Sequence, residues 1–192
     1  MGTTLRAAAA AAVLLLAAGC SDNGPSPRDP TSTWSPTGKM ETPTSAAPDP
    51  VEPELPAAAA EASEVGARAF IEYYWELVNY AQVTGDVKAL KKVSGPNCER
   101  CDAGIDGIKQ VYRAGGHITD GQYTPSLTSV TQLTADDRNF YAFEAKTQVS
   151  NVAHAAVEAS GRREEFAAST KSYVVDVLWV EDHWRLDVMQ VV

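Results

Sequence analysis

The chain is poor in cations, in histidine and in cysteine. Lys and Arg number 16 against 25 Asp and Glu, a formal net charge of −9. Phosphate backbones are gripped by clustered Lys and Arg that displace counterions, so this balance argues against a nucleic-acid partner. The three histidines, 117, 154 and 183, are dispersed, and two Cys alone do not complete a zinc site. A glycine-rich phosphate loop, a nucleophile elbow and a zincin helix motif are all missing. No metal and no cofactor is predicted. The longest apolar run, Ala7 to Ala18, has twelve residues, too few for the ~20 that carry a helix across ~30 Å of hydrocarbon. At 192 residues the chain has room for one or two domains of roughly 150 residues.

What the amino terminus does contain reads as an address. Arg6 supplies a basic n-region, Ala7 to Ala18 an h-region, and Gly19-Cys20 a small-residue cleavage site. Leu16-Ala17-Ala18-Gly19-Cys20 resembles the bacterial lipobox, with Ala17 in the place where Leu is usual. That likeness implies that Cys20 receives diacylglycerol, that residues 1–19 are removed as a signal peptide, and that the new amino terminus is acylated. Two or three acyl chains make a firm anchor where one binds only reversibly. The expectation is a lipoprotein held by its lipid on the extracytoplasmic face of the cell membrane, where disulfides are permitted. The plain alternative is a secretory signal in which Cys20 is incidental.

From Ser21 to Pro56 the chain is built of Ser, Thr, Pro, Asp, Glu and Gly, and nine of the eleven prolines fall there. Such composition buries too little apolar surface to offset the entropy of ordering, which predicts a disordered linker over residues 20–56. Trp34 is its single aromatic residue; the other fourteen lie between Phe70 and Trp184. This shift places one globular domain at residues 57–192, with a net charge of −6 from Glu61 onward.

Within that domain Phe70, Tyr73, Tyr74, Leu77 and Ala81 share one helical face, opposite Glu64, Arg68, Glu72 and Glu76. A helix over about 61–83 follows, stopped by Thr84-Gly85. Asp86 is placed to cap a short second helix to Val93, and Asn97 a third over 98–114 whose buried stripe is Cys101, Ile105, Ile108 and Tyr112. After Gly116 the residues favour strands: 117–123, 126–133, 139–152, 171–180 and 184–191, with turns at Asp136-Asp137, Gly161 and Asp182-His183. Trp184, Leu186 and Val188 alternate with Arg185 and Asp187, predicting one buried and one wet face. Helices first and strands afterwards give an α+β domain, three helices packed on a bent antiparallel sheet.

Ala69 to Tyr80, Thr84-Gly85-Asp86, Pro96-Asn97-Cys98-Glu99-Arg100-Cys101 and Tyr112 to Gly116 resemble an uncharacterised family of actinobacterial lipoproteins built on one domain of unknown function. The order of elements is also similar to the cone of nuclear transport factor 2-like domains, which implies a curved sheet around the helices and a pocket at the open end. That likeness implies a fold and a compartment without an activity.

Cys98 and Cys101 are the one distinctive chemical pair. Residues three apart on a helical turn stand ~5 Å apart, within reach of a disulfide. A structural disulfide is the leading expectation. Thiol-disulfide exchange is the rival, since a helix amino terminus and Arg100 would favour the thiolate, although no strand leads into the motif as in thioredoxin-like sites. His154, in an Ala-rich stretch, is the candidate general base of a small cone-fold enzyme, and nothing in its spacing supplies a partner. Tyr73, Tyr74 and Trp75 could line a pocket but fit a core; Asp102 and Asp106 suggest a cation but fit a solvated face. The reading that follows is a noncatalytic binding or interaction domain for a protein or small-molecule ligand of the cell envelope.

Overall fold

In a computed structural model, residues 49–134 and 141–192 are described. The expected signal peptide, Cys20, Trp34, the linker as far as residue 48 and the Asp136-Asp137 turn lie outside the described residues. Residues 49–56 run without regular structure into a 3-10 turn, Ala57–Ala60.

Helix α1, Glu64–Thr84, begins where Ser63 Oγ accepts a hydrogen bond from the Gly66 amide at 3.0 Å. That cap satisfies one orphan donor and fixes the start three residues after the one expected. Gly85, at φ 74°, closes the helix in the left-handed region. Helix α2, Lys88–Val93, is short, and Asp86 Oδ1 accepts from the Lys88 amide. Helix α3 spans Glu99–Arg113. Its N-cap is Cys98 rather than Asn97: the Cys98 sulfur accepts from the Cys101 amide at 3.3 Å, so the third helix starts one residue later than expected. Among the described residues no helix is long and apolar enough to cross a membrane.

Among the described residues seven strands follow: β1 His117–Asp120, β2 Tyr123–Leu133, β3 Tyr141–Asn151, β4 His154–Val157, β5 Arg163–Phe166, β6 Ser169–Val180 and β7 His183–Val191. These strands pair antiparallel throughout, in a four-stranded sheet β2-β3-β6-β7 and a three-stranded sheet β1-β4-β5, and Ser94 adds one parallel bridge to Leu186. The two share one origin. Strands β1 and β2 are one course bent at Gly121-Gln122, β4 and β3 at Val152-Ala153, and β5 and β6 at Ala167-Ala168. Asp120 at φ 60° and Gly121 at φ 86° make the first bend, and the Val152 amide donates to Gln122 O across it. The continuous strand expected over 117–123 is therefore two strands. The hairpin β4–β5 turns around the expected Gly161 but falls where no strand is expected; its pairing with β1 supplies the ladder that its Ala-rich and charged sequence does not advertise.

The four-stranded sheet curves around α1. Phe70, Tyr74 and Leu77 pack on Phe143, Val177 and Leu186, all buried. Trp184 lies 6.3 Å from the Phe70 ring and 5.3 Å from that of Trp179, with its indole N–H donated to Glu61 O. The alternation expected along β7 fails after Leu186. A bulge at Asp187 lets Asp176 oppose Val188 and Val177 oppose Leu186, so Met189, not Val188, rejoins the core. The hairpin before β7 turns at Glu181-Asp182, both with positive φ, and His183 already pairs with Val180.

Candidate functional site

Where the three-stranded sheet bends away from the four-stranded one, it leaves a gap against α3 and the last turns of α1. A cavity of about 780 Å³ fills it. Val78 and Gln82, one turn apart on α1, form its inner wall, and Gly107, Ile108 and Val111 of α3 one side. Opposite them stand Ile118 of β1, Ala156 and His154 of β4 and Phe166 of β5. Alternation along β4 sends His154 and Ala156 to one face and Ala155 and Val157 to the other. His154 pairs across the ladder with Phe166, and their rings stack at 4.7 Å.

The inner end is polar and rigid. Asn79 donates to Tyr123 O at 2.9 Å and accepts from the Tyr123 amide at 2.7 Å, clamping the start of β2 to α1. One turn on, Gln82 Nε2 donates to Gly121 O at 3.2 Å. These two amides hold the sheet's bend, and Tyr112 Oη fastens α3 to the same place by donating to Gln82 O at 2.5 Å. Only glycine serves at 121. A methyl group there would stand 2.8 Å from His154 Cβ and 3.0 Å from Gln82 Oε1, besides the strain of its φ. That glycine therefore seats the imidazole and the amide side by side. Burial, and after it the neighbouring Tyr173, pushes the Tyr123 phenol above its ordinary pKa, so it stays a neutral hydroxyl.

The outer rim carries the charge. Glu158 pairs with Arg162, an ion pair that lowers the carboxyl and raises the guanidinium from their ordinary values, through their hydrogen bond first. Both side chains are exposed, so the pair adds little stability.

Of the residues singled out in the sequence, His154 lines this cavity. Its Nδ1 is buried and, among the described residues, has no hydrogen-bond partner. Tyr73, Tyr74 and Trp75 are buried in the core and none lines the cavity. Asp102 and Asp106 lie on the exposed side of α3, Asp106 paired with Lys109 at 3.2 Å. Among the described residues no cluster of three His, Cys, Asp or Glu side chains could hold a metal. His117 is exposed, and His183 Nδ1 lies 3.0 Å from Glu181 O. Cys98 and Cys101 are bonded, with Cα atoms 5.2 Å apart, and are 1% and 3% exposed. Sequence reasoning did not single out Gln82, Gly121 or the glycines of α3. The available signals were a glutamine one turn beyond Val78 and two glycines three residues apart inside a helix.

The sequence profile of a family of unknown function, DUF6318, matches residues 36–190. No curated protein matches the sequence. Among solved structures, the intermembrane-space region of the chloroplast protein ARC6 superposes with a TM-score of 0.50 at 15% identity, over 68% of this chain and 96% of that one. An uncharacterised protein from Caulobacter vibrioides with a cystatin-like fold gives 0.37 at 13% identity, over 66% and 87%. The Kfla4162 protein from Kribbella flavida gives 0.40 at 12% identity, over 67% and 91%. At these identities the likeness concerns the fold alone.

Proposed function

The chain belongs to the DUF6318 family of unknown function, and from that premise we propose that it is a lipid-tethered binding protein of the cell envelope, noncatalytic, which takes up a small molecule in the cavity between α3 and β4–β5. The observation that carries this reading is the cavity itself: about 780 Å³, with largely apolar walls and a few polar groups fixed at one end. That is the usual make-up of a small-molecule site. Catalysis is disfavoured by the same geometry. A general base needs a group that holds and tunes its ring, and His154 Nδ1 has none. Exchange at Cys98–Cys101 needs an accessible sulfur, and both are buried.

In this proposal Cys20 carries the lipid and the Pro-rich linker sets the domain off from the membrane. As a flexible coil, residues 21–56 would span about 30 to 35 Å. Incorporation of radiolabelled palmitate into the wild type and its loss in Cys20→Ser tests the anchor; label persisting in the variant overturns it.

The cavity is tested with N-phenyl-1-naphthylamine, a neutral apolar dye that brightens when it leaves water, titrated into the mature chain carrying Cys20→Ser. Saturable binding at one site is expected. It should vanish in Gly107→Leu, whose new side chain grows into open space, since nothing lies within 4 Å of a Cβ at that position. Removing a glycine from a helix interior is worth up to about 1 kcal/mol, so the variant should melt no lower than its parent. Undiminished binding by this variant refutes the reading.

A further inference from the structure

Resting on the binding reading above, we infer that the cavity selects an uncharged molecule with an apolar body and a single hydrogen-bond donor, and that the donor is received by Gln82 Oε1 at the inner end.

Gln82 is only 5% exposed, yet it lines the cavity. Its orientation is set by Gly121. Nε2 donates to that carbonyl at 3.2 Å, and exchanging the amide's nitrogen and oxygen would bring two carbonyl oxygens together. Oε1 is therefore left as an acceptor, and among the described residues nothing donates to it. It is not sealed off, as His154 Nδ1 is. Facing the cavity with some exposure, it is an acceptor that a ligand's donor can reach in place of water.

Charge decides the rest. The charged side chains lining the cavity are Glu158, Arg162 and Glu164, and Arg162 is already engaged by Glu158. Among the described residues two carboxylates and one guanidinium line the cavity, a net negative charge that disfavours an anion, and a carboxylate or sulfonate entering the inner end would face the amide oxygen with no compensating charge there. The body of the ligand meets Val78, Ile108, Val111, Ile118 and Phe166. Two open positions on α3, Gly104 and Gly107, give it width: nothing lies within 4 Å of a Cβ at either.

Three related probes separate these claims. N-phenyl-1-naphthylamine is neutral and has one N–H. Its N-methyl derivative lacks the donor, and 1-anilinonaphthalene-8-sulfonate adds a negative charge to the same skeleton. With the mature Cys20→Ser chain, the neutral donor probe should bind at least tenfold more tightly than the sulfonate. N-methylation should weaken binding about five- to tenfold, the size of one hydrogen bond to a buried acceptor. In Gln82→Met, folded by circular dichroism, the two neutral probes should bind alike, since the acceptor they differ in using is gone. A sulfonate that binds as well as the neutral probe overturns the charge claim. A methylation penalty that is absent in the wild type, or that survives in Gln82→Met, overturns the assignment of Gln82. If no probe binds saturably, or if Gly107→Leu binds them all as its parent does, the binding reading itself fails.

Discussion

Removing the Cys98–Cys101 bridge should lower the domain's stability by about 2 to 3 kcal/mol and leave it folded. The bridge closes a loop of only four residues, so the chain-entropy model assigns it about 2 kcal/mol, near the low end for disulfides. The test variant is Cys98→Ser combined with Cys101→Ala. Serine at 98 keeps an oxygen where the sulfur now accepts the Cys101 amide, so the helix cap survives. Alanine at 101 gives up one buried sulfur in a position that is 3% exposed, a small cavity worth up to about 1 kcal/mol. For a domain of this size each kcal/mol moves the melting point by about 3 to 5 °C. The variant should therefore melt roughly 6 to 15 °C lower, with the native circular dichroism spectrum below the transition. Intact mass should rise by two hydrogens on reduction of the wild type. Two results refute the argument: a variant that does not fold, which would make the bridge essential, or a melting point unchanged by the substitution. A reduction potential well above about −300 mV, with turnover of a disulfide substrate, would replace the structural role by a redox one.

Gly85→Ala should cost about 2 to 4 kcal/mol, combining left-handed backbone strain with overpacking: the new methyl would overlap the Tyr112 ring. Because Tyr112 Oη holds Gln82 O, the dye's affinity should fall along with the melting point, and a variant that melts within 2 °C of wild type contradicts this packing. Asp176→Asn should stabilise the domain at neutral pH. Burial, then Glu144, then Asp187 raise this carboxyl above its ordinary pKa, so the native state binds the proton more readily than the unfolded chain, and ionisation costs stability as pH rises through the native pKa. The gain from Asn should shrink as pH falls through the carboxylate range, where Asp176 becomes neutral in both states; thermal melts between pH 3 and 8 that show the opposite trend refute it.

The helices were legible because their packing repeats in the sequence. Phe70, Tyr74 and Leu77 recur at helical spacing and all three are buried. Their ends were less so, because a cap depends on which neighbouring side chain reaches the amide. Ser63 and Cys98 do so, where Asn97 had the better intrinsic preference. Long strands rich in Val, Thr and Tyr were equally visible. The hairpin β4–β5 was not, since Ala155-Ala156 and Arg163-Glu164-Glu165 have no β-propensity to read, and β1, the strand that pairs with the other edge of β4, is remote in sequence. The bulge at Asp187 illustrates the same limit: alternation predicts a face only while the pairing is regular, and one extra residue exchanges Val188 for Met189.

The candidate site was hidden for a different reason. A core announces itself by side chains that are present, whereas this cavity depends in part on side chains that are missing. Gly104 and Gly107 sit inside α3, where alanine would favour the helix by about 1 kcal/mol at each position, and neither glycine has a positive φ to explain it. No neighbour crowds either position. Neither conformation nor close packing accounts for a glycine at either position, and both are exposed and line the cavity, so the side chains they lack leave it wider. Gln82 fits the same logic from the polar side. Its Nε2 secures the bend at Gly121, while its Oε1 contributes nothing to the fold among the described residues. A side chain that serves structure with one atom and turns the other to the cavity is placed to receive a donor that the chain does not itself contain.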